Sequence, residues 1–229
     1  MEHADCQKRE ARLHCRMMSK FLRFLAWTLL VLGALIGIAR LTVIRWWRVP
    51  LGDPYLEASL APTLRGGDWL ILWRATAPTE GNLVLCPEPK AAGRYVIGRI
   101  LAERGDHVKV TSDGVQVNNR NFETESGCDP FIVRDPGTGQ DTEQSCRREV
   151  VGSQTHLRGQ LSPSLPKPSE AEADLADGQV YLISDNRQFP WDSREFGPVE
   201  RSTCVETVLF RLVSKDGFFD VANRLTLIR

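Results

Sequence analysis

The chain has 229 residues, and its 29 Lys and Arg are matched by 29 Asp and Glu, giving a formal net charge of zero at pH 7. That balance provides neither a global basic field for nucleic acid nor an acidic field for a basic partner. The length accommodates a membrane anchor and one domain of ordinary size, and six cysteines allow disulfides wherever the chain is exported.

The charge is unevenly spread. Lys8, Arg9, Arg12, Arg16, Lys20 and Arg23 precede the run "FLAWTLLVLGALIGIARLTVI", residues 24–44, which is apolar except for Thr28, Arg40 and Thr42. A membrane span needs about 20 apolar residues, a length this run reaches when Arg40 snorkels to the interface. Trp46 and Trp47 with Arg45 and Arg48 follow as an interfacial belt. The stretch is too long for the core of a cleaved signal peptide, and a buried core helix would not carry these flanks. We therefore read residues 1–23 as cytoplasmic, 24–44 as a transmembrane helix and 50–229 as extracytoplasmic, because the positive charge lies before the helix. Cys6 and Cys15 fall inside; Cys86, Cys128, Cys146 and Cys204 fall where pairing is permitted.

Beyond the anchor, short apolar runs alternate with Gly, Pro and Asp. "WLILW" (69–73), "NLVLC" (82–86), "YVIGRIL" (95–101), "HVKV" (107–110) and "VQVNN" (115–119) each fit a strand. Asp113-Gly114 between two alternating runs signals a hairpin. From about residue 123 to 177 the composition shifts to Gly, Asp, Ser and Pro, which reads as a strand-poor insertion. Cys128 and Cys146 within it suit a bridge closing a loop, although spacing alone does not establish connectivity. Strands return at "QVYLIS" (179–184), "CVETVLFRLV" (204–213) and the terminal "RLTLIR". No helical periodicity competes outside the anchor. The expectation is a mainly β, antiparallel domain behind one transmembrane helix. No C-x-x-C or paired-His pattern supports a metal, so no metal is expected.

In order, "ASLAPTLRGGDWLILW", "GNLVLCPEP", "YVIGRILAERGDHVKV" and "YLISDNRQFPWDSREFGPV" resemble the sequence boxes of the signal peptidase I family of serine endopeptidases, peptidase S26. The resemblance spans most of residues 45–215 and is weakest in the insertion. The last box is the most specific, with Asp185, Asn186, Arg187, Asp192, Ser193, Arg194, Gly197 and Val199 in place. The resemblance implies a Ser–Lys dyad on a β scaffold at the outer face of the bacterial cytoplasmic membrane. Its partners would be exported preproteins or their signal peptides and the lipid bilayer, with no cofactor and no nucleic acid. A serine hydroxyl needs an adjacent base, and a lysine becomes one when burial disfavours its charged form.

Carried over position by position, the nucleophile is Ser59. Leu60, in place of the usual Met, falls with Pro62 and Ser184 on the substrate-binding surface. Asp185, Arg187, Asp192 and Arg194 fall in the scaffold beneath the site. The lysine position is Gly98, or Ile97 if the alignment shifts by one. The Ser that supports the lysine is Pro190, the Gly that opens the last box is Ser184, and the residue two before the nucleophile is Glu57. Losing a general base costs on the order of 10²–10⁴ in rate. Glu57 is the alternative base nearest in sequence, since i, i+2 spacing on an extended chain puts it on the side of Ser59. Lys90, His107 and Lys109 are further basic groups whose plainer reading is solvated surface. The residues therefore leave two readings: a signal peptidase-like endopeptidase with another base, or a degenerate relative that binds extended exported polypeptides without cutting them.

Overall fold

The computed structural model describes the chain apart from residues 1, 112, 113, 123, 164 and 229, and apart from the side chains of residues 2–19 and 126. It divides into two units, Met1–Ile44 and Arg45–Arg229.

The first unit is one helix, α1 (Glu2–Thr42), whose segment Lys20–Thr42 is long and apolar enough to cross a membrane. The apolar run was expected to stay helical through Ile44, yet the helix stops at Thr42 and Ile44 opens strand β1 (Ile44–Arg48). Thr42, Val43 and Ile44 are consecutive β-branched residues, which are stiff at χ1 in a helix and pack well in a strand. Trp47 lies in that strand. Its ring packs edge-on against Tyr95, centroids 6.1 Å apart.

The second unit is mainly antiparallel β. Its elements are α2 (Pro54–Leu60), β2 (Trp69–Trp73), β3 (Leu83–Pro87), β4 (Tyr95–Ala102), β5 (His107–Thr111), β6 (Gly114–Val117), β7 (Arg120–Asn121), β8 (Thr124–Arg134), β9 (Asp141–Val151), β10 (Gln154–Gly159), β11 (Ala171–Asp174), β12 (Gln179–Ile183), α3 (Ser193–Phe196), β13 (Val199–Glu200), β14 (Glu206–Val213) and β15 (Thr226–Leu227). The largest sheet runs β1-β2-β14-β3-β4-β12-β13, with β15 beside β14; β11-β5-β6-β7 and β10-β9-β8 form two smaller sheets. The paired strands β5 and β6 flank the expected hairpin turn, whose Asp113 lies outside the described residues.

The central strands read as continuous apolar runs because both of their faces are covered. Leu83 and Leu85 of β3 face one core with Leu56 and Leu60 of α2, while Val84 and Cys86 face another with Ile100, Leu182 and Cys204. A third core joins Leu101 and Tyr181 to Val108 and Val151.

Two expectations are corrected. Residues 123–177 hold two eleven-residue strands and two shorter ones. Their pattern hides from a hydrophobicity reading because the inward positions of β9 include Gln144, Cys146 and Glu149. Helix also exists outside the anchor, in α2 and α3. The Asp53 side chain accepts from the Leu56 N–H at 3.1 Å and Pro54 occupies the first turn, the usual start signals, but seven residues are too few to show a period.

Disulfides join Cys86 to Cys204 and Cys128 to Cys146, over sequence separations of 118 and 18. Loop-closure entropy makes the longer link worth about 5 kcal/mol and the shorter about 3 kcal/mol. Denaturant unfolding should therefore show the larger loss of stability for the Cys86→Ala/Cys204→Ala double variant. Equal losses for the two pairs would contradict this account.

Candidate functional site

Ser59 sits in the last turn of α2, with no exposed surface, and its Oγ donates to the Leu56 carbonyl at 2.8 Å. The Ser59 carbonyl accepts from the backbone N–H of Asn186 at 3.0 Å, so the "SDNR" segment braces the helix end directly. Leu60 is buried in the core with Ile97 and Leu85, which removes it from any substrate-lining role. Ser184 is also fully buried. Its hydroxyl accepts from the Trp191 N–H at 3.1 Å and its own N–H donates to Asp192, so it shapes the box and presents nothing to a ligand. Pro62 does line a groove of about 980 Å³, between residues 52–66 and Pro130–Arg134 of β8, with Lys215 at its rim.

Gly98 shares the face of β4 that carries Val96 and Ile100, whereas Ile97 points to the core beneath α2. A Cβ built on Gly98 would lie 3.2 Å from Leu182 Cβ and 3.3 Å from the Ile183 carbonyl oxygen. Strand β12 therefore packs closely against this position. Glu57 is two helical steps, about 200°, from Ser59 and so lies on a different side of α2, because the segment is helical where an extended chain was expected. Its carboxylate accepts from the Gly52 N–H at 2.8 Å and lies over Gly66, where a Cβ would come within 2.4 Å of Glu57 Cδ. That contact clips the start of α2 to the turn after it. The other basic groups are engaged elsewhere: Lys90 donates to the Glu195 carbonyl, His107 lies between Glu172 and Asp174, and Lys109 is exposed on β5.

Beneath the helix, the side chains of the last box form a buried polar lattice. Arg99, with no exposed surface, pairs with Asp185 through Nε at 2.7 Å and Nη2 at 3.2 Å, and its Nη1 donates to the Gly81 carbonyl. Thr63 Oγ1 donates to Oδ2 of Asp185, the oxygen that also accepts from Arg99 Nη2. Asp192 caps α3 and accepts from Arg194 Nε and Nη2 at 2.9 and 2.7 Å. Arg187 donates to the Ser184 carbonyl and to Glu149.

A model of the signal peptidase, peptidase S26 family matches residues 22–213. The chain belongs to that family. It is 24% identical to the plasmid transfer protein TraF of Escherichia coli over 177 residues, covering 69% of this chain and 84% of that protein. Signal peptidase I U of Bacillus subtilis is 23% identical over 172 residues, 73% of this chain and 76% of its own length. Signal peptidase I V of the same organism is 22% identical over 154 residues, 66% and 78% respectively. In this peptidase S26 member, the helix end that carries Ser59 buries it. Among the described residues no cluster of three His, Cys, Asp or Glu is arranged for a metal.

His156, Glu149, Arg158 and Gln144 were missed in the sequence because they lie in the segment read as a loop. His156 of β10 stands directly opposite Glu149 of β9, with Nε2 3.5 Å from that carboxylate and 3.8 Å from Asp185. The available signal was "HLRG", whose i, i+2 spacing puts His156 and Arg158 on one strand face. Burial, reinforced by Arg99, holds the His156 pKa below its ordinary 6.5 against the pull of Glu149 and Asp185. Burial raises the Glu149 pKa, but Arg187, His156 and Arg158 outweigh it and bring the carboxyl from 4.5 to about 2. Burial likewise opposes ionisation of Asp185 and Asp192, and Arg99 and Arg194 respectively overcome it, leaving both depressed.

All four shifts have one sign for stability. Each group binds its proton more readily unfolded than folded, so stability is present above the unfolded values and lost as pH falls. His156 contributes as pH drops below 6.5. Glu149 contributes between 4.5 and about 2, on the order of 3 kcal/mol. Urea unfolding across pH should show His156→Gln flattening the limb just below 6.5 while the more acidic limb persists; an unchanged upper limb would refute this role. Gly98→Lys should lower stability by about 1–3 kcal/mol through overpacking against β12. A gain in Tm would show that β12 leaves room for the side chain.

Proposed function

We propose that this protein is a membrane-anchored, signal peptidase-like protein that holds extended segments of exported polypeptides without cutting them by a Ser–Lys route. Its helix anchors it in the bacterial cytoplasmic membrane with the N-terminus inside and the β domain outside, as the charge before the span favours. The observation that carries the reading is the state of Ser59: fully buried, its hydroxyl committed to the Leu56 carbonyl, with glycine where the family's base would stand.

The groove supplies a place for the ligand. β8 is an edge strand of its sheet, and Pro130–Arg134 form one groove wall. An edge offers backbone donors and acceptors to an added strand, the recognition mode suited to an unfolded or signal segment. Ile132, 72% exposed, supplies an apolar contact beside Phe131 and Val133. Lys215 at the rim is followed by exposed Phe218, Phe219 and Val221, and Leu51 is exposed nearby beside Gly67; such a patch suits a lipid surface. The competing reading, cleavage by Ser59 with an unrecognised base, is supported by the serine itself and by the signal peptidases among its relatives.

The test uses full-length protein in liposomes with a preprotein. Wild type and Ser59→Ala should bind it equally and cut it not at all, and Ile132→Asp should weaken binding about tenfold, the scale of one lost apolar anchor. Cleavage by wild type that disappears in Ser59→Ala would replace this reading with the enzymatic one. Binding unaffected by Ile132→Asp would move the ligand out of the groove.

A further inference from the structure

Residues of the insertion, β5–β6 and the last box, none of them shared with the groove at Pro62, line a cavity of about 230 Å³. Arg158, Arg187 and Arg194 line it, together with one acid, Glu149. The charges do not balance. Arg194 is spent on Asp192 through Nε and Nη2 and on the Arg187 carbonyl through Nη1. Arg187 and Arg158 are then left to share the single carboxylate of Glu149. Arg99 and Asp185 neutralise each other behind them, and buried His156 adds no negative charge. One positive charge remains uncompensated in a largely desolvated place, an expensive arrangement unless an anion joins it.

The hydrogen bonds tell the same story. Arg187, only 4% exposed, keeps a buried Nε with no acceptor. Arg158 Nε lies 3.0 Å from Glu149 but outside hydrogen-bonding geometry, and it too has no acceptor. Buried arginine donors ordinarily find partners. The Arg158 pKa is lowered by burial and by neighbouring Arg187 and Arg147, despite Glu149, which fits a local excess of positive charge.

We propose that this cavity binds a small oxyanion, a phosphate or carboxylate group, through Arg158 and the free Nε of Arg187. Guanidinium groups suit such oxygens because their planar donors match the spacing of oxyanion acceptors. The volume admits an inorganic anion or the anionic end of a small metabolite, and Gln160 and Ser169 add polar groups to the lining. The site is independent of peptide binding in the groove.

The experiment is thermal unfolding of the detergent-solubilised full-length protein against inorganic phosphate and, separately, acetate, at constant ionic strength. Saturable stabilisation is expected, with the apparent dissociation constant weakened about tenfold or more in Arg158→Gln, the scale of one charge-assisted hydrogen bond. Arg148→Gln, which removes a surface arginine of β9 outside this cavity, should leave it unchanged. Ser169→Phe, at an exposed position, fills the cavity mouth without touching either arginine and should also abolish saturation. The stronger of the two anions names the ligand class. Non-saturable stabilisation, or equal response in wild type, Arg158→Gln and Ser169→Phe, overturns the proposal.

Discussion

The buried pair of Arg99 and Asp185 is the constraint on which the rest of the exported domain depends. Both side chains are removed from water, so each is tolerable only while the other is in place. Around them converge four segments: Gly81 through its carbonyl, Thr63 from the turn after α2, Arg99 from β4 and Asp185 from the end of β12. Removing one partner of such a pair costs about 3–5 kcal/mol, because the remaining charge is stranded. That is a large part of the stability of an ordinary domain. The residues that make this chain recognisable as a peptidase S26 member are largely the ones in this lattice. They maintain the shape beneath the site, and their presence carries no information about chemistry above it.

In the proposed reading, the chemistry above it is closed off by changes that support one another. Glycine at position 98 lets β12 approach so closely that a Cβ there would need its neighbours to give by a few tenths of an ångström. Ser184 then fills the turn at the end of β12 with a hydroxyl satisfied by Trp191. Ser59 Oγ turns inward to the Leu56 carbonyl, a local bond that serine commonly makes in a helix. Glu57, the alternative base, holds the Gly52 N–H against Gly66. Each group is satisfied where it stands, so activity would need several of these contacts to break together.

How legible was this from sequence? The strands of the largest sheet were plain because burial on both faces leaves unbroken apolar runs, as in "LVLC" and "VIGRIL". The family boxes were plain for the reason just given. What escaped had polar side chains on the buried side. β9 turns Gln144, Cys146 and Glu149 inward, and β10 turns His156, so neither strand alternates in hydrophobicity. Their partners, Asn186, Arg187 and Asp185, lie distant in the chain, and no local pattern announces the pairing. α2 escaped for another reason. Its Asp-Pro start was on the page, but its brevity hid the period, and the geometry of Glu57 relative to Ser59 was misread in consequence.

The insertion is therefore part of the core machinery of the fold. Its strand β10 joins the box by backbone bonds, Gly159 N–H to the Asp185 carbonyl at 2.9 Å and Arg187 N–H to the Gly159 carbonyl at 3.3 Å. Between those two residues lies Asn186, whose N–H holds the Ser59 carbonyl and whose side chain donates to Gln144 of β9. Three consecutive residues thus face three places: Asp185 the buried ion pair, Asn186 the serine-bearing helix, and Arg187 the arginine cavity. A segment with so many satisfied backbone and side-chain bonds moves as a unit, because shifting one residue would strand polar groups on its neighbours. Charge balance at Arg187 and the seating of α2 are consequently properties of one rigid turn.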